Sequence, residues 1–306
     1  MFVSYGGSCA KIDSDITFPP NIQGSHHEAD TLLAFHAKMS EGNLVVRASD
    51  TDVMIIMLGM INKHKEQNIP VQYGNITMDV GTGNSQRFID INKIHDQLEN
   101  HSAGLSGALF ALHAFSGSDY NASFYRKGKV LPLKLLLQND TLSGGWIKSF
   151  RQMATQSFCR EEDVESFVCA MYGMKDCKNT NLARKMKIVQ QAKPNSKLPD
   201  QIKKIDCGLF PPCKKVLQNK IKRSQYVAIT WSNADQPNPT EGMNPEEYGW
   251  YKVGNSFLPK WYEGSPLPAA EDLHVNDRNE SSDEEDDECT LESETQWTDP
   301  SDDDYD

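Results

Sequence analysis

Acidic residues in three short motifs are the part of this sequence whose chemistry is easiest to name. Glu28 and Asp30 lie in HHEAD, Asp50 and Asp52 in SDTD, and Asp119 in GSDY. Converging carboxylates repel one another unless cations neutralise them, and a thiol-free set of oxygen donors suits Mg²⁺ or Mn²⁺. Two such ions about 4 Å apart clamp the attacking and leaving oxygens of a phosphodiester. The five acids therefore predict a site for one or two Mg²⁺ or Mn²⁺ ions, with no catalytic residues separate from the metal ligands.

Each motif also has an ordinary structural interpretation. Asp and Glu commonly cap the N-terminus of a helix, and Asp after a strand is a common turn residue. The metal-site prediction therefore depends on the three motifs meeting in the fold.

The elements predicted around these motifs alternate between helix and strand. Apolar residues at helical spacing predict a helix after HHEAD, and the run at 43–49 predicts a buried parallel strand that stops at Asp50. VMIIMLGMI predicts a second helix, and the run at 104–115 predicts a buried helix just before Asp119. This order favours an α/β fold with a mainly parallel sheet. Ligands of such sheets bind beyond the carboxyl ends of the strands, where these acids are expected.

The second half of the chain has a less regular pattern. EEDVESFVCAMY at 161–172 predicts a helix, the run at 226–231 predicts a strand, and 237–268 is rich in Pro, Gly and aromatic residues without periodicity. From residue 175 to 223 the chain is rich in Lys and Arg, which makes this stretch a second candidate for nucleic-acid contact. We expect an irregular α+β, basic C-terminal region.

The charge divides the chain into a mildly basic body and an acidic tail. Residues 271–306 contain 17 acidic residues and one Arg, which leaves 26 acidic and 30 basic residues in 1–270. So acidic a segment with few apolar residues is expected to be disordered. Expected units are therefore a domain at 1–140, a basic region at 141–270 and a disordered acidic tail at 271–306.

The three motifs and the elements between them resemble the structure-specific 5′ nuclease family, which includes flap endonucleases. HHEADTLLAFHAK, LVVRASDTDVMIIM and LFALHAFSGSDYNASFYRKGK carry the resemblance, which is closer still to the PIN-like domains of transposon-associated animal proteins. It covers roughly residues 20–135 and implies a PIN-like three-layer fold. The family's metal-binding acids fall on the same five residues.

Two departures from the family pattern bear on activity. The family carries its first acids on a central N-terminal strand, whereas only 27 residues precede Glu28, and KIDSDITFPP does not resemble that strand. We therefore expect a PIN-like domain truncated at its N-terminus. Where the family has a glycine-framed helical hairpin that grips DNA, Gly128 matches the second glycine and Arg126 replaces the first. Arg126, Lys127 and Lys129 are candidate nucleic-acid ligands there, with a solvated basic turn as the alternative.

Two functions remain open. One is a Mg²⁺- or Mn²⁺-dependent nuclease acting on DNA or RNA, provided that the missing strand is supplied. The other is a non-catalytic nucleic-acid- or protein-binding module derived from a nuclease, whose acidic tail recruits a basic protein. We favour the non-catalytic module if the chain is complete, and the nuclease if it is a piece of a longer protein.

Composition limits where the protein is expected to work. The longest purely apolar stretch is Val53 to Leu58, six residues, whereas a membrane span needs about 20, so no membrane partner is expected. Seven Cys at irregular spacings, without a CxxC, suggest neither a disulfide framework nor a zinc site. We expect an intracellular protein, with KIKR at 220–223 as a short candidate signal for nuclear import.

Overall fold

The described part of the chain comprises residues 2–5, 8–11, 24–138, 141–155, 160–191 and 206–264 of a computed structural model. Its strands are β1 Phe2–Tyr5, β2 Ser8–Lys11, β3 Gly42–Arg47, β4 Tyr73–Val80, β5 Arg87–Asp90, β6 Trp250–Val253 and β7 Ser256–Pro259. Its α-helices are α1 Ala29–Lys38, α2 Thr51–Glu66, α3 Ile91–His101, α4 Leu105–Ser116, α5 Val130–Leu136, α6 Thr141–Met153, α7 Glu161–Met171, α8 Thr180–Gln191 and α9 Lys214–Ser232. The acidic tail predicted at 271–306 lies outside the described residues.

The main sheet is small and mixed. β3 runs parallel to β4, and β5 runs antiparallel to β4, in the order β3-β4-β5. Only a single-turn 3₁₀-helix, Gly83–Ser85, separates β4 from β5, and so short a connection permits only antiparallel pairing. The predicted α/β class is therefore confirmed, but the described sheet is not mainly parallel. The other strand pairs, β1-β2 and β6-β7, are separate antiparallel hairpins.

The two faces of the sheet have different surroundings. On the inner face, Ile76 and Met78 of β4 are buried, and their partners Leu44 and Val46 on β3 pack against the same core. On the outer face, Val45 is 67% exposed and Phe88 is 65% exposed. In the described residues, the second helical layer of the expected three-layer fold is therefore missing over this face.

The core is centred on α2 and α4, whose apolar runs were predicted as buried helices. Gly59 on α2 permits their close approach, because a Cβ at this position would lie 1.9 Å from the Phe110 ring on α4. α4 also packs against α6 and α9. One continuous cluster of buried apolar residues extends from Ala34 to Ala234, so it crosses the domain boundary predicted at residue 140.

The predicted strand at 226–231 is wrong, because these residues form the last turns of α9. Its aromatic and β-branched residues are typical of a strand, but burial follows helical spacing. Leu217, Ile221, Val227 and Trp231 are all buried, and they face the core that contains α4. Tertiary packing thus overrides local propensity. Across the described residues, every helix is too short or too polar to span a bilayer.

Candidate metal centre

The five predicted acids line one cavity of about 250 Å³, which we call the carboxylate cavity. They arrive from three places: the residues at the start of α1, the residues at the start of α2, and the loop after α4. Ser118, Tyr120 and Trp231 complete much of its wall. The meeting of the three motifs that the sequence predicted is therefore present in the fold.

Asp50 and Asp52 reach the cavity from the start of a helix. β3 ends at Arg47, and Asp50 caps the N-terminus of α2 by accepting a hydrogen bond from the Asp52 backbone N–H at 2.9 Å. Both acids therefore lie beyond the carboxyl end of β3. The start of α2, together with Asp30 on α1, brings one oxygen each of Asp30, Asp50 and Asp52 within 4.8 Å of one another.

This arrangement fits a divalent cation. Two oxygen ligands of one Mg²⁺ lie at most about 4.2 Å apart, because each Mg–O distance is about 2.1 Å. Small side-chain rotations would therefore bring Asp30, Asp50 and Asp52 onto a single ion. Three acidic residues thus lie close enough together to bind a metal ion.

Asp30 shows the electrostatic cost of this convergence. Partial burial raises the pKa of the Asp30 carboxyl, and the negative charges of Asp50, Glu28, Asp52 and Asp119 raise it further. All four remaining acids therefore act on Asp30 in the same direction. Repulsion of this kind is what a bound cation would relieve.

Asp52 differs from Asp30 because a histidine ring and a lysine ammonium lie beside it. His113 Nε2 lies 2.7 Å from Asp52 Oδ1, and Lys129 Nζ lies 3.9 Å from the same oxygen. Lys129 Nζ also contacts His113 Nε2. The hydrogen bond with His113 lowers the pKa of Asp52 and outweighs the effect of burial. Among the described residues, Lys129 is the only Lys or Arg that forms an ion pair with one of the five acids.

Aromatic side chains hold Glu28. The indole Nε1–H of Trp231, on α9, donates a hydrogen bond to Glu28 Oε2 at 3.0 Å. Burial raises the pKa of Tyr120 to about 12, with contributions from the charge of Glu28 and a hydrogen bond to it. The position of Glu28 is therefore determined by two residues outside its own motif.

The loop that carries Asp119 is tied to α9. Gly117 ends α4 at φ +147°, and a Cβ there would lie 2.9 Å from Ser123 Cβ. After it, Ser118 and Asn121 exchange backbone hydrogen bonds. The buried Asn121 side chain donates to Ser224 Oγ at 2.7 Å. Asp119 is thus presented from a short, anchored turn.

The predicted nucleic-acid ligands line a neighbouring cavity of about 440 Å³, which we call the basic cavity. It contains Arg126, Lys127 and Lys129, and it shares Ser118 with the carboxylate cavity. Arg126 has φ +53°, a left-handed conformation that favours glycine, at the position where the resembling family has its first glycine. Three cations therefore lie beside the acids, and one of them, Lys129, forms an ion pair with Asp52.

Part of the basic stretch at 175–223 is packed into the fold. Lys220 and Arg223 are buried, and Lys214 pairs with Glu165 at 3.1 Å. KIKR at 220–223 is consequently not an accessible basic cluster in the folded chain. Residues 192–205 of this stretch lie outside the described residues.

Sequence reasoning missed Trp231, His113 and Tyr120. Trp231 had no signal, because its segment resembles a strand and lies 203 residues from Glu28. His113 gave a weak signal as a lone polar residue within the apolar run at 104–115. Tyr120 belongs to GSDY, but the motif gives no indication that its hydroxyl contacts Glu28.

None of the protein-family models, curated proteins or solved structures compared with this chain matches it. The resemblance to structure-specific 5′ nucleases therefore stays a hypothesis.

Proposed function

We propose that this protein is a Mg²⁺- or Mn²⁺-dependent enzyme that hydrolyses phosphodiester bonds of nucleic acids. The observation that carries the proposal is the convergence of Glu28, Asp30, Asp50, Asp52 and Asp119 on one cavity, adjacent to the basic cavity. Carboxylates alone would repel a phosphate. Acids beside cations, with room for a divalent ion, suit a phosphodiester that needs both metal and backbone contacts.

The bound ion would activate water and neutralise charge on the phosphate. The chain's own groups orient the components. His113 limits the rotation of Asp52, and Trp231 fixes Glu28. Lys129 lines the basic cavity and lies 3.9 Å from Asp52, so its ammonium is placed to contact a phosphate oxygen at the boundary between the cavities. Arg126 and Lys127 would hold the neighbouring backbone.

A second function is favoured by the partners of Asp52. Lys129 already offsets part of the negative charge at this acid, and the His113 ring contacts the same carboxylate oxygen. A site that neutralises itself in this way suits a non-catalytic module that binds nucleic acid or protein after losing hydrolysis. The two functions differ in whether the phosphodiester is cleaved.

A cleavage assay separates them. The full chain is incubated with end-labelled single-stranded and duplex DNA and RNA in Mn²⁺, in Mg²⁺ and in chelator. We expect metal-dependent cleavage that falls roughly 100-fold or more in Asp30→Asn and Asp50→Asn, because a metal supplies several kcal/mol of transition-state stabilisation.

Asp96→Asn is the matched control. Asp96 is an exposed acid that pairs with Lys65. Lys65 lies thirteen residues after Asp52 on α2, which places it about 20 Å along the helix from the carboxylate cavity. Cleavage that survives in Asp30→Asn and Asp50→Asn would contradict hydrolysis at this site. Nucleic-acid binding without cleavage in any metal would favour the non-catalytic module.

A further inference from the structure

A larger cavity of about 550 Å³ opens beside the carboxylate cavity, and we call it the aromatic cavity. Its volume lies within the range of small-molecule sites. Aromatic rings from three separate segments line it: Tyr120, Tyr226, Trp231, Trp250 and Phe257. Trp231 and Trp250 are buried, whereas Tyr120 and Phe257 are 43% and 42% exposed. The cavity thus has a fixed aromatic wall and an accessible aromatic rim.

The wall is held in place by ring packing. The Tyr226 ring lies edge-on to Trp250, with centroids 5.1 Å apart, and edge-on to Tyr248 at 5.5 Å. Trp231 packs against the His113 ring at 5.8 Å. Because these contacts fix the rings, a planar ligand would enter a preformed site.

The aromatic and carboxylate cavities share a wall. Glu28, Tyr120 and Trp231 line both. A ligand group in the aromatic cavity would therefore lie next to any group held by the acids. On its other side, the carboxylate cavity meets the basic cavity at Ser118. Three compartments follow one another: aromatic, acidic and basic.

The lining of the aromatic cavity indicates an uncharged ring. Within the described residues, none of its lining side chains is a lysine or arginine, and Glu28 would repel an anion. Thr230, Thr240 and Asn255 add hydroxyl and amide groups suited to the polar edge of a heterocycle. Single-strand binding sites typically stack the bases on aromatic faces and hold the backbone with cations.

We propose that the aromatic cavity binds one unpaired nucleobase, next to the phosphate held at the carboxylate cavity. The proposal rests on the proposed function and specifies its substrate: a single-stranded segment of nucleic acid. Backbone phosphates then continue into the basic cavity. A paired base cannot enter, because its partner strand would have to separate first.

The test compares two ligands of equal charge. A labelled oligothymidylate and a fully abasic strand of the same length are titrated with the full chain in Ca²⁺, and binding is followed by fluorescence anisotropy. The wild type should bind the base-bearing strand about tenfold more tightly. Equal affinity for the two strands would show phosphate contact only and would overturn the proposal, whatever any variant does.

Phe257→Ala locates the effect. It should remove most of the preference for the base-bearing strand, while Phe257→Tyr, which retains a ring, should keep it. Leu258→Ala is the matched control, because Leu258 is the next residue on β7, similarly exposed at 43%, and does not line the cavity. A preference that persists in Phe257→Ala, or that disappears equally in Leu258→Ala, would refute the assignment to this cavity.

Cleavage in Mn²⁺ is measured separately on the same samples. Base preference that depends on Phe257, without any cleavage, would reject hydrolysis and keep the nucleobase site. Metal-dependent cleavage with no preference between the strands would do the opposite.

Discussion

The two ends of α2 hold carboxylates in opposite ways. At its C-terminal end, the buried Asp235 accepts hydrogen bonds from Lys63 Nζ at 2.7 Å and from Lys38 Nζ at 3.4 Å, and His64 Nε2 lies 3.1 Å from it. At its N-terminal end, five acids share a cavity. Of these five, only Asp52 forms ion pairs with other described residues. One carboxylate has several partners, whereas several carboxylates compete for few.

This difference separates structure from function. Burial acts to raise the pKa of Asp235, but hydrogen bonds from His64 and Lys63 outweigh it and hold that pKa well below its ordinary range. At Asp30, burial and neighbouring acids both raise the pKa. A satisfied buried acid stabilises the fold, while the acids of the cavity repel one another and lie close enough together to bind a metal ion. Acids that repel one another within a cavity are accordingly candidates for a functional site.

The largest effect is expected from Asp235→Ala. Removing this acid leaves Lys63, Lys38 and His64 without their shared partner, and breaking a buried ion pair from one side costs about 3–5 kcal/mol. Urea denaturation of the wild type and the variant measures the loss. Asp96→Asn, which removes an exposed acid, should change stability by less than about 0.5 kcal/mol. Similar losses in the two variants would erase the contrast between the ends of α2.

Acid provides a second view of the same bond network. The folded pKa of Asp235 is depressed, so its stabilisation is complete above the unfolded pKa of about 3.9 and is lost as the pH falls below it. The difference in stability between wild type and Asp235→Ala should therefore shrink as the pH falls below about 4. A difference that grows as the pH falls below about 4 would contradict the network.

Metal should produce the next largest effect, at the opposite end of α2. A ligand that binds only the folded state stabilises it by about 1.4 kcal/mol at a tenfold excess over Kd. For a chain of this size we expect Mn²⁺ to raise the Tm by roughly 3–6 °C. Thermal melts with Mn²⁺ and with chelator test this, and Asp50→Asn should abolish the response. An unchanged wild-type melt in millimolar Mn²⁺ would count against a metal site.

The smallest effect distinguishes two acids within the carboxylate cavity. Without metal, Asp30→Asn should raise the free energy of unfolding by less than about 1 kcal/mol, because it removes a charge that the other acids repel. Asp52→Asn should lower it by about 1 kcal/mol, because it weakens the interaction with His113 and Lys129. Denaturation in chelator measures both. If both variants changed the free energy of unfolding in the same direction, Asp30 and Asp52 would not differ in their electrostatic surroundings.

Sequence predicted the centre of the fold better than its periphery. The apolar runs at 53–61 and 104–115 have nowhere to pack except the core, so their helices were predictable. The strand expected at 226–231 was wrong, because its local propensity gave no information about the partner face on α4. The second face of the sheet was expected to be covered, and no local pattern indicates that Val45 and Phe88 are exposed there.

The candidate site divides in the same way. Which residues are acidic, and at which element ends they lie, could be predicted from types and order. What surrounds each acid could not, since Asp52 finds His113 sixty-one residues away and Glu28 finds Trp231 still farther along the chain. Such pairings depend on how helices pack, which periodicity does not encode.

The hydrogen bond between Trp231 and Glu28 cannot form until translation has reached Trp231. It joins residues 203 positions apart. At about 5–20 residues per second, a ribosome reaches Trp231 roughly 10–40 s after Glu28. Throughout that interval the nascent chain carries its acids without the indole that orients the first of them. The β6-β7 hairpin, which completes the aromatic cavity, is synthesised later still, so the complete site cannot form before Phe257 has been added to the chain.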